Sequence, residues 1–428
     1  MKAAFFTLGC KVNQYESQAM AQSLERHGFS IVDSSEEADI YVINSCTVTA
    51  ESDRKTRQTV RRFKKLHPQS IVVLTGCMTQ ASPETGNTLE EADIVIGNKT
   101  NDLLFEHISS YLNGSGRIFA VEEHKSNEPF RGDRITDFYE RTRASIKIED
   151  GCNRFCSYCI IPYARGRVRS KPLEEFKEEV KLLAEKGFCE IVLVGINLSA
   201  YGTDCGCTIV DAVREAASVS GIKRVRLGSL EPDHITDEVI SGLAAIKEFC
   251  PQFHISLQSG CDKTLKRMNR HYDSAEYSEL CQKLRSTFAD CSLTTDLMVG
   301  FPGETEEDFG ISLEFMKKIG FEKVHVFPYS RRPGTPADRM PEQVESSEKN
   351  RRAAIMIEEA EKIRLAFFEK QSGKIVEVLP EEHHGGCIQG YTANYTPVRI
   401  INCPEIPKEP VKAKITGFEN DFCTAELI

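Results

Sequence analysis

The chain has 428 residues, of which 40% are hydrophobic and 28% are charged, and these fractions are typical of a globular protein of several domains. No run of about 18 apolar residues exists and the apolar patch at the amino terminus is too short for a signal peptide, so we expect no membrane segment and a cytoplasmic protein. The formal net charge of −10 indicates that any contact with nucleic acid uses local basic patches.

Residues 1–125 alternate short apolar runs with amphipathic stretches, which predicts βαβ units around a parallel sheet. Cys10, Cys46 and Cys77 each follow one of the predicted strands. Because the carboxyl ends of parallel strands lie along one edge of a sheet, we expect these three thiols to converge. The alternative is three separate buried cysteines. The predicted strands and helices are Ala3–Thr7, Gln14–Arg26, Ile40–Asn44, Ala50–Leu66, Ile71–Thr75 and Ile94–Gly97.

Residues 138–370 repeat the order of strand and helix after a polar linker at Glu122–Arg143. Six such repeats predict a partial (β/α)6 barrel, in which functional groups lie at the carboxyl ends of the strands. A long charged helix, Ser346–Gln371, closes this region. The predicted strands are Ser145–Ile148, Ile191–Val194, Val225–Leu227, His254–Leu257, Leu293–Met298 and Val324–Phe327, with helices such as Leu173–Lys186 and Ser274–Thr287 between them.

Residues 371–428 consist of short runs with β-branched residues separated by Gly, Pro and Asn, which predicts a small all-β barrel or sandwich. The fold class expected for the whole chain is therefore α/β with a small β domain at its end. The predicted strands of the last region are Ile375–Leu379, Val398–Ile401, Val411–Ile415 and Phe422–Leu427.

Cys152, Cys156 and Cys159 form a CxxxCxxC motif after the first predicted strand of the second region. Three thiolates at this spacing can each bind one iron of a 4Fe–4S cluster and leave the fourth iron open to a small molecule. The alternative is a zinc site. Structural zinc sites take four protein ligands, however, and no fourth Cys or His lies nearby in the sequence.

This motif, with Tyr158 as the aromatic residue before the last cysteine, resembles the signature of the radical-SAM superfamily. The resemblance implies that S-adenosylmethionine (SAM) binds the open iron and that its reductive cleavage yields a 5′-deoxyadenosyl radical. Polar residues follow the later predicted strands, and we expect them to bind SAM together with Tyr158. Each is, alternatively, a turn residue or a helix cap. These residues are Asn197, Ser229, Glu231, Gln258 and Asp296.

Sixteen cysteines is a high number for a chain expected in a reducing compartment, where metal ligation is a better interpretation than disulfides. Ten of them lie outside the two sets described above, and we expect these to be small buried hydrophobic residues. They are Cys189, Cys205, Cys207, Cys250, Cys261, Cys281, Cys291, Cys387, Cys403 and Cys423.

The stretches Leu8–Ser17, Asn44–Val48 and Gly76-Cys77 resemble those of the methylthiotransferase family. The resemblance covers essentially the whole chain and implies a methylthiotransferase domain, a radical-SAM domain and a carboxy-terminal TRAM domain. It further implies that Cys10, Cys46 and Cys77 hold a second 4Fe–4S cluster, whose open iron carries the sulfur to be inserted. Two SAM molecules would be consumed per turnover, one as the methyl donor and one as the source of the radical.

Within this family, Gly9–Glu16 and Gly390–Val398 are similar to the MtaB type, which inserts a methylthio group at C2 of N6-threonylcarbamoyladenosine at position 37 of tRNA. The alternatives are N6-isopentenyladenosine in tRNA, a protein side chain, or an RNA chaperone or redox sensor without catalysis. The resemblance implies a tRNA substrate, an electron donor such as flavodoxin or ferredoxin, a sulfur source and a monomer. No general base is assigned, because removal of an aromatic hydrogen needs a cofactor radical.

Several basic residues cluster despite the acidic net charge, and we expect them to contact RNA phosphates. Arg165, Arg167 and Arg169 follow the cysteine motif, and the alternative for the other patch is a solvated helix face. The last region is acidic, so Tyr391 or Tyr395 would stack on RNA bases there, or else contact other domains of this protein. The other patch is Arg54, Lys55, Arg57, Arg61, Arg62, Lys64 and Lys65, and a third is Lys263, Lys266, Arg267 and Arg270.

Overall fold

The structure is a computed structural model that describes residues 1–132, 134–136, 142–401, 407 and 409–428. Its first part is a six-stranded parallel sheet in the order β2-β1-β3-β4-β5-β6. The strands are β1 Lys2–Thr7, β2 Ser30–Val32, β3 Ile40–Ser45, β4 Ile71–Gly76, β5 Ile94–Ile96 and β6 Ile118–Ala120, and the helices are α1 Lys11–Arg26, α2 Ala50–Leu66, α3 Cys77–Ala81, α4 Pro83–Asn87 and α5 Leu104–Ser110.

The central strands β3 and β4 are buried along their whole length, because helices cover both faces of the sheet. Val60 and Phe63 of α2 belong to the core on one face, and Met20 and Leu24 of α1 to the core on the other. This arrangement explains the continuous apolar character of the two strands. The short strands β2 and β6, three residues each, escaped prediction because they are too brief for a periodic pattern.

The second part contains nine strands and seven helices among the described residues, including both strands of a small antiparallel pair, β8 and β9. The strands are β7 Arg143–Lys147, β8 Glu149–Asp150, β9 Arg169–Ser170, β10 Glu190–Val194, β11 Arg224–Leu227, β12 Ser229–Leu230, β13 Gln252–Ile255, β14 Ser292–Val299 and β15 Lys323–Pro328. The helices are α6 Ile161–Arg165, α7 Leu173–Glu185, α8 Ile209–Ala217, α9 Asp237–Ala244, α10 Asp262–Arg267, α11 Ser274–Thr287 and α12 Glu306–Ile319.

Two parallel sheets, β11-β10-β7 and β12-β13-β14-β15, form the wall of an open barrel. The strands β11 and β12 are separated only by Gly228 and count as one strand region. With this pair counted once, each of the six predicted strand regions is present. The predicted end of the linker was wrong, because Arg143 is the first residue of β7. The strand predicted at His254–Leu257 begins and ends two residues earlier, as β13. The main hydrophobic core lies between this wall and the surrounding helices.

The third part follows the long helix α13, Ser346–Gln371, and is a closed five-stranded barrel in the order β16-β17-β18-β20-β19. The α/β fold class with a small all-β barrel at its end is therefore confirmed. No described helix is long and apolar enough to span a bilayer. The strands are β16 Ile375–His384, β17 Cys387–Thr392, β18 Pro397–Ile400, β19 Val411–Glu419 and β20 Phe422–Leu427.

Helix α1 joins the first sheet to the open barrel. Val12 packs against Val192 and Val194 of β10, which places the start of α1 at the barrel wall. The hydroxyl of Tyr15 donates a hydrogen bond to Glu179 Oε1 of α7 over 2.8 Å. The first sheet and the barrel are thus fixed relative to each other close to Cys10, the residue that precedes α1.

Candidate active site between two sets of cysteines

The first set of cysteines lies where three neighbouring strands end. Cys10 follows β1, Cys46 follows β3 and Cys77 follows β4, and these strands are adjacent in the sheet. Cys10 is exposed, whereas Cys46 and Cys77 are buried. Burial raises the pKa of the Cys46 and Cys77 thiols, and the neighbouring Cys10 adds to both shifts. The three sulfur atoms therefore share one site, as the strand-end pattern predicted.

Gly76, the residue before Cys77, allows β3 and β4 to approach closely at this site. Its φ is +102°, and a Cβ there would lie 2.5 Å from both N and O of Ser45. Only glycine fits this position without displacing the backbone that precedes Cys46. The Ser45 hydroxyl donates to Thr75 O over 2.6 Å and accepts from Met78 N over 3.1 Å, so the two loops are held together.

Two nitrogen donors reach the sulfur of Cys77. Arg165 Nε donates to Cys77 Sγ over 3.2 Å, and Asn98 Nδ2 donates over 3.9 Å. Burial raises the pKa of the Cys77 thiol to about 12, although the Arg165 charge opposes this effect. Such donors stabilise negative charge on sulfur, which is what a thiolate ligand of an iron–sulfur cluster carries.

The second set, Cys152, Cys156 and Cys159, lies in the loop between β8 and α6. Burial raises the pKa of Cys152 and of Cys159 to about 12, and the neighbouring Cys156 adds to both shifts. The three thiols are thus close to one another and largely shielded from solvent. Phe155 within this loop has a φ of +51°, which turns the chain sharply between the first two cysteines.

Arg270 connects the second set to a strand end of the barrel. Its Nη1 donates to Cys156 Sγ over 3.2 Å and to the Tyr158 hydroxyl over 3.4 Å, while its Nη2 pairs with Glu231. The sequence placed Arg270 in a basic patch expected to contact RNA phosphates, whereas its side chain is buried against Glu231. A buried arginine beside a predicted strand end can be recognised only when its partners are known.

A cavity of about 350 Å³ lies between the loop after Cys46 and the second set. Val48 and Thr49, which follow Cys46, form one side of it, and Cys159 with the start of α6 forms another. The hydroxyl of Tyr329 is buried there without a hydrogen-bond partner. The remaining lining residues are Tyr158, Ile160, Ile161, Gln258, Asp296, Met298, Phe327, Pro328 and Ser330.

The polar residues predicted to bind SAM occupy different surroundings. Tyr158, Gln258 and Asp296 line the cavity. Asn197 and Gln258 are buried, and the side-chain oxygen of each lacks a hydrogen-bond partner. Ser229 is exposed and Glu231 is half-buried against Arg270. Buried amide oxygens without partners are costly, so two of these positions are suited to the polar groups of a ligand.

Glu149 is a further candidate that sequence reasoning missed. It is fully buried beside the second set of cysteines, and its Oε2 accepts from Asn197 N over 2.7 Å. Burial raises the pKa of the Glu149 carboxyl well above its usual range, and its Oε1 has no partner. The signal in the sequence was a charged residue at the end of an apolar strand, three residues before Cys152.

Arg165 does not serve the role predicted for it. Its side chain is fully buried, and it pairs with Glu16 of α1 as well as with Cys77. Burial alone would raise the pKa of Glu16, but Arg165 and Lys147 outweigh this effect and hold it below its usual value. The prediction that Arg165 contacts RNA phosphates is therefore wrong, because its charge is consumed between the sheet and the barrel.

Arg169 is buried in the same network, since its Nη2 lies 3.2 Å from Asp150 Oδ2, so its predicted RNA contact is also wrong. Arg167 is exposed, and its guanidinium lies 4.6 Å from the centre of the Phe155 ring. Arg167 therefore stays a predicted RNA contact.

Tyr391 lies against the open barrel. It stacks on Tyr395 with a distance of 4.5 Å between ring centres, and the Arg143 guanidinium of β7 lies 5.0 Å from both rings. Arg226 of β11 also lies 4.7 Å from the Tyr395 ring. The interdomain alternative accounts for these contacts, because both aromatic rings are engaged by arginines of the barrel.

Most of the other cysteines follow the expectation of small buried residues. Cys205 is exposed, and Cys207 and Cys387 are half-buried, so these three depart from it. The sulfur atoms of Cys205 and Cys207 lie 3.2 Å apart in the loop before α8. Cys403 lies outside the described residues. The buried ones are Cys189, Cys250, Cys261, Cys281, Cys291 and Cys423.

Comparison with known proteins agrees with this arrangement. Residues 2–97 match the uncharacterized protein family UPF0004 and residues 146–316 match the Radical SAM superfamily. The threonylcarbamoyladenosine tRNA methylthiotransferase MtaB of Thermotoga maritima is 40% identical over 99% of this chain and 96% of its own length. The chain belongs to the threonylcarbamoyladenosine tRNA methylthiotransferase family. The MtaB of Bacillus subtilis, another member, is 38% identical over 96% of this chain and 93% of its own length.

Relatives with a different name are similar as well. The tRNA-2-methylthio-N(6)-dimethylallyladenosine synthase of Pelotomaculum thermopropionicum is 33% identical over 97% of this chain and 95% of its own length. Among solved structures, the radical S-adenosylmethionine methyltransferase TsrM of Kitasatospora setae superposes with a TM-score of 0.58 at 15% identity, covering 79% of this chain and 77% of that one. At this identity the likeness concerns the fold alone.

Proposed function

We propose that this enzyme inserts a methylthio group at C2 of N6-threonylcarbamoyladenosine at position 37 of tRNA, using two 4Fe–4S clusters and two SAM molecules per turnover. In this proposal residues 1–125 hold one cluster, residues 138–370 hold the other together with SAM, and residues 371–428 form a TRAM domain. The observation that carries the proposal is the single cavity that reaches from the loop after Cys46 to Cys159.

The donor sets fit the two clusters. Each set offers three thiols, one set at the ends of neighbouring strands and the other within a single loop. Three protein ligands leave one iron of a 4Fe–4S cluster open. When bound, the clusters and SAM supply the carbon radical and the sulfur, which no side chain of the chain can provide.

The residues around the second set hold and shield the cofactor. Arg270 neutralises charge on Cys156 and fixes Glu231. Asn197 and Gln258 present buried oxygens that suit the amine and ribose hydroxyls of SAM, and Tyr158 and Ser229 complete the proposed contacts. The apolar residues that line the cavity would limit the access of water, which protects a reactive radical. The enzyme would need an electron donor such as flavodoxin or ferredoxin and an external sulfur source.

The second candidate substrate is N6-isopentenyladenosine in tRNA, because relatives named for the dimethylallyl derivative share 33% to 36% of their residues with this chain. The relatives named for threonylcarbamoyladenosine reach 40% and cover nearly the whole chain, and they favour the first candidate. A protein side chain is the third candidate, because the same cavity and the same two sets of cysteines would serve a protein substrate.

Mass spectrometry of nucleosides from total tRNA, with and without the gene, tests the proposal. We expect the methylthio form of threonylcarbamoyladenosine to disappear while the unmodified form remains. Loss of the methylthio group from isopentenyladenosine instead would move the substrate to the second candidate. If neither changes, tRNA is not the substrate. A Cys10→Ala variant should lose the product and retain 5′-deoxyadenosine formation, whereas Cys156→Ala should lose both.

A further inference from the structure

Three polar side chains meet on neighbouring strands of the barrel. His254 lies on β13, Asp296 on β14 and His325 on β15, and one polar atom of each lies within 4.8 Å of the other two. His254 Nε2 is 3.2 Å from Asp296 Oδ2, and Asp296 is the direct strand neighbour of His325. The sequence predicted that Asp296 binds SAM and did not indicate that it lies beside these two histidines.

This cluster faces the inside of the barrel. Side chains alternate between the two faces of a strand, and Phe253, Ile255 and Leu297 belong to the core shared with the outer helices. His254 and Asp296, which alternate with them, therefore point to the opposite face, away from the helices. On β15, Val324 and Val326 pack on the same core, so His325 shares the inner face.

The inner face is organised in layers by the strand register. Met298 pairs with Phe327, and both line the cavity. The next layer is Asp296 with His325, and Asp296 also lines the cavity. The layer below is Thr294 with Lys323. The apolar layer of Met298 and Phe327 is thus followed by the polar layer of Asp296 and His325, and then by the layer that contains Lys323.

The two layers suit different parts of one ligand. Met298, Phe327 and Pro328 offer an apolar wall for a purine ring. The layer below offers an acceptor in Asp296 and donors in the imidazoles and in Lys323, which match N–H, hydroxyl and carboxylate groups. An apolar substituent would make none of these polar contacts, so it would gain less from this layer than a polar one.

We infer that His254, Asp296, His325 and Lys323 form a subsite for a polar, carboxylate-bearing substituent on N6 of the target adenine. The inference rests on the proposed function and reassigns Asp296 from SAM to the substrate. His254 positions Asp296, because its two ring nitrogens already lie against Asp296 Oδ2 and, at 2.9 Å, Thr294 Oγ1. His325 and Lys323, which are both exposed, contact the carboxylate.

The test compares anticodon stem-loop RNAs that carry threonylcarbamoyladenosine either as the free acid or as its methyl ester. The dissociation constant and kcat/KM are measured for the reconstituted enzyme, for His325→Leu and for Lys323→Met. We expect the unchanged enzyme to favour the free acid about 10-fold or more, since a charged hydrogen bond is lost in the ester. Each variant should reduce this preference to about 3-fold or less.

The control is His27→Leu, an exposed histidine at the end of α1, which should keep the preference for the acid. Iron content and far-UV circular dichroism establish that each variant is folded and loaded. An unchanged acid preference in both His325→Leu and Lys323→Met would overturn the subsite while the proposed function stands. If the unchanged enzyme modifies neither RNA, the proposed function fails. Metal analysis gives a further outcome. If the unchanged enzyme holds one equivalent of a divalent metal other than iron and His325→Leu loses it, the cluster binds a metal, and the inferred direct contact with the carboxylate is wrong.

Discussion

Arg165 of α6 donates a hydrogen bond from Nε to Cys77 Sγ of the first sheet over 3.2 Å, although it lies only six residues after Cys159 of the second set. The same guanidinium pairs with Glu16 of α1. One side chain therefore links the loop of the second set to a cysteine of the first set. This link holds the segment after Cys159 against the first sheet, next to Cys77.

Replacing Arg165 by lysine should weaken this link. Lysine keeps the charge but cannot reach Glu16 and Cys77 at once, so we expect the free energy of unfolding to fall by about 2 kcal/mol. Loss of the N–H···S hydrogen bond should also make the reduction potential of the proposed cluster on Cys77 more negative. Urea unfolding and a redox titration followed by electron paramagnetic resonance measure the two effects. Arg167→Lys, at an exposed position, should change neither.

Gly76→Ala should disturb the first set of cysteines. The new Cβ would lie 2.5 Å from the Ser45 backbone at a φ of +102°, so we expect a loss of stability of more than about 2 kcal/mol and incomplete iron loading. Gly28→Ala is the matched control, because its φ is +85° and no atom lies within 4 Å of the added Cβ. Equal losses in the two variants would mean that conformation alone, and not the close approach to Ser45, matters.

Glu322 should make stability depend on pH. Burial raises the pKa of its carboxyl from 4.5 to about 7. Between these values the folded protein holds a proton that the unfolded chain has lost, so the free energy of unfolding falls as the pH rises. Relative to the unchanged protein, Glu322→Gln should gain about 3 kcal/mol between pH 4.5 and 8. Urea unfolding at several pH values measures this, and exposed Glu314→Gln should show no such gain.

The outer face of α2 should bind RNA phosphates. The helix begins directly after Thr49 of the cavity wall, and Lys55 and Lys65 are exposed on it. Each substitution by alanine should weaken tRNA binding and lower the slope of log affinity against log salt by about one. Fluorescence anisotropy at several salt concentrations tests this. The control, Lys362→Ala on α13, should leave the slope unchanged. An unchanged slope in both Lys55→Ala and Lys65→Ala would show that the outer face of α2 does not bind RNA.

Local patterns were sufficient for the main strands and helices and for the positions of the two sets of cysteines. Helix α2 and helix α13 have the predicted bounds, because amphipathic periodicity and charge are properties of the segment itself. The six strand regions of the barrel were also recognisable, as short stretches that alternate with helical patterns. The convergence of Cys10, Cys46 and Cys77 followed from the rule that parallel strands end along one edge.

Partners from distant segments were decided by the tertiary structure alone. Arg165 and Arg169 looked like surface cations in the sequence, yet they are buried against Glu16 and Asp150, because a charge can be buried only where the fold brings it a partner. The His254, Asp296 and His325 cluster likewise comes from three strands spread over 72 residues of the chain. The sequence by itself determined which elements form and which chemistry they carry. The register and packing of those elements determined which side chains meet, because these contacts join residues far apart in the chain.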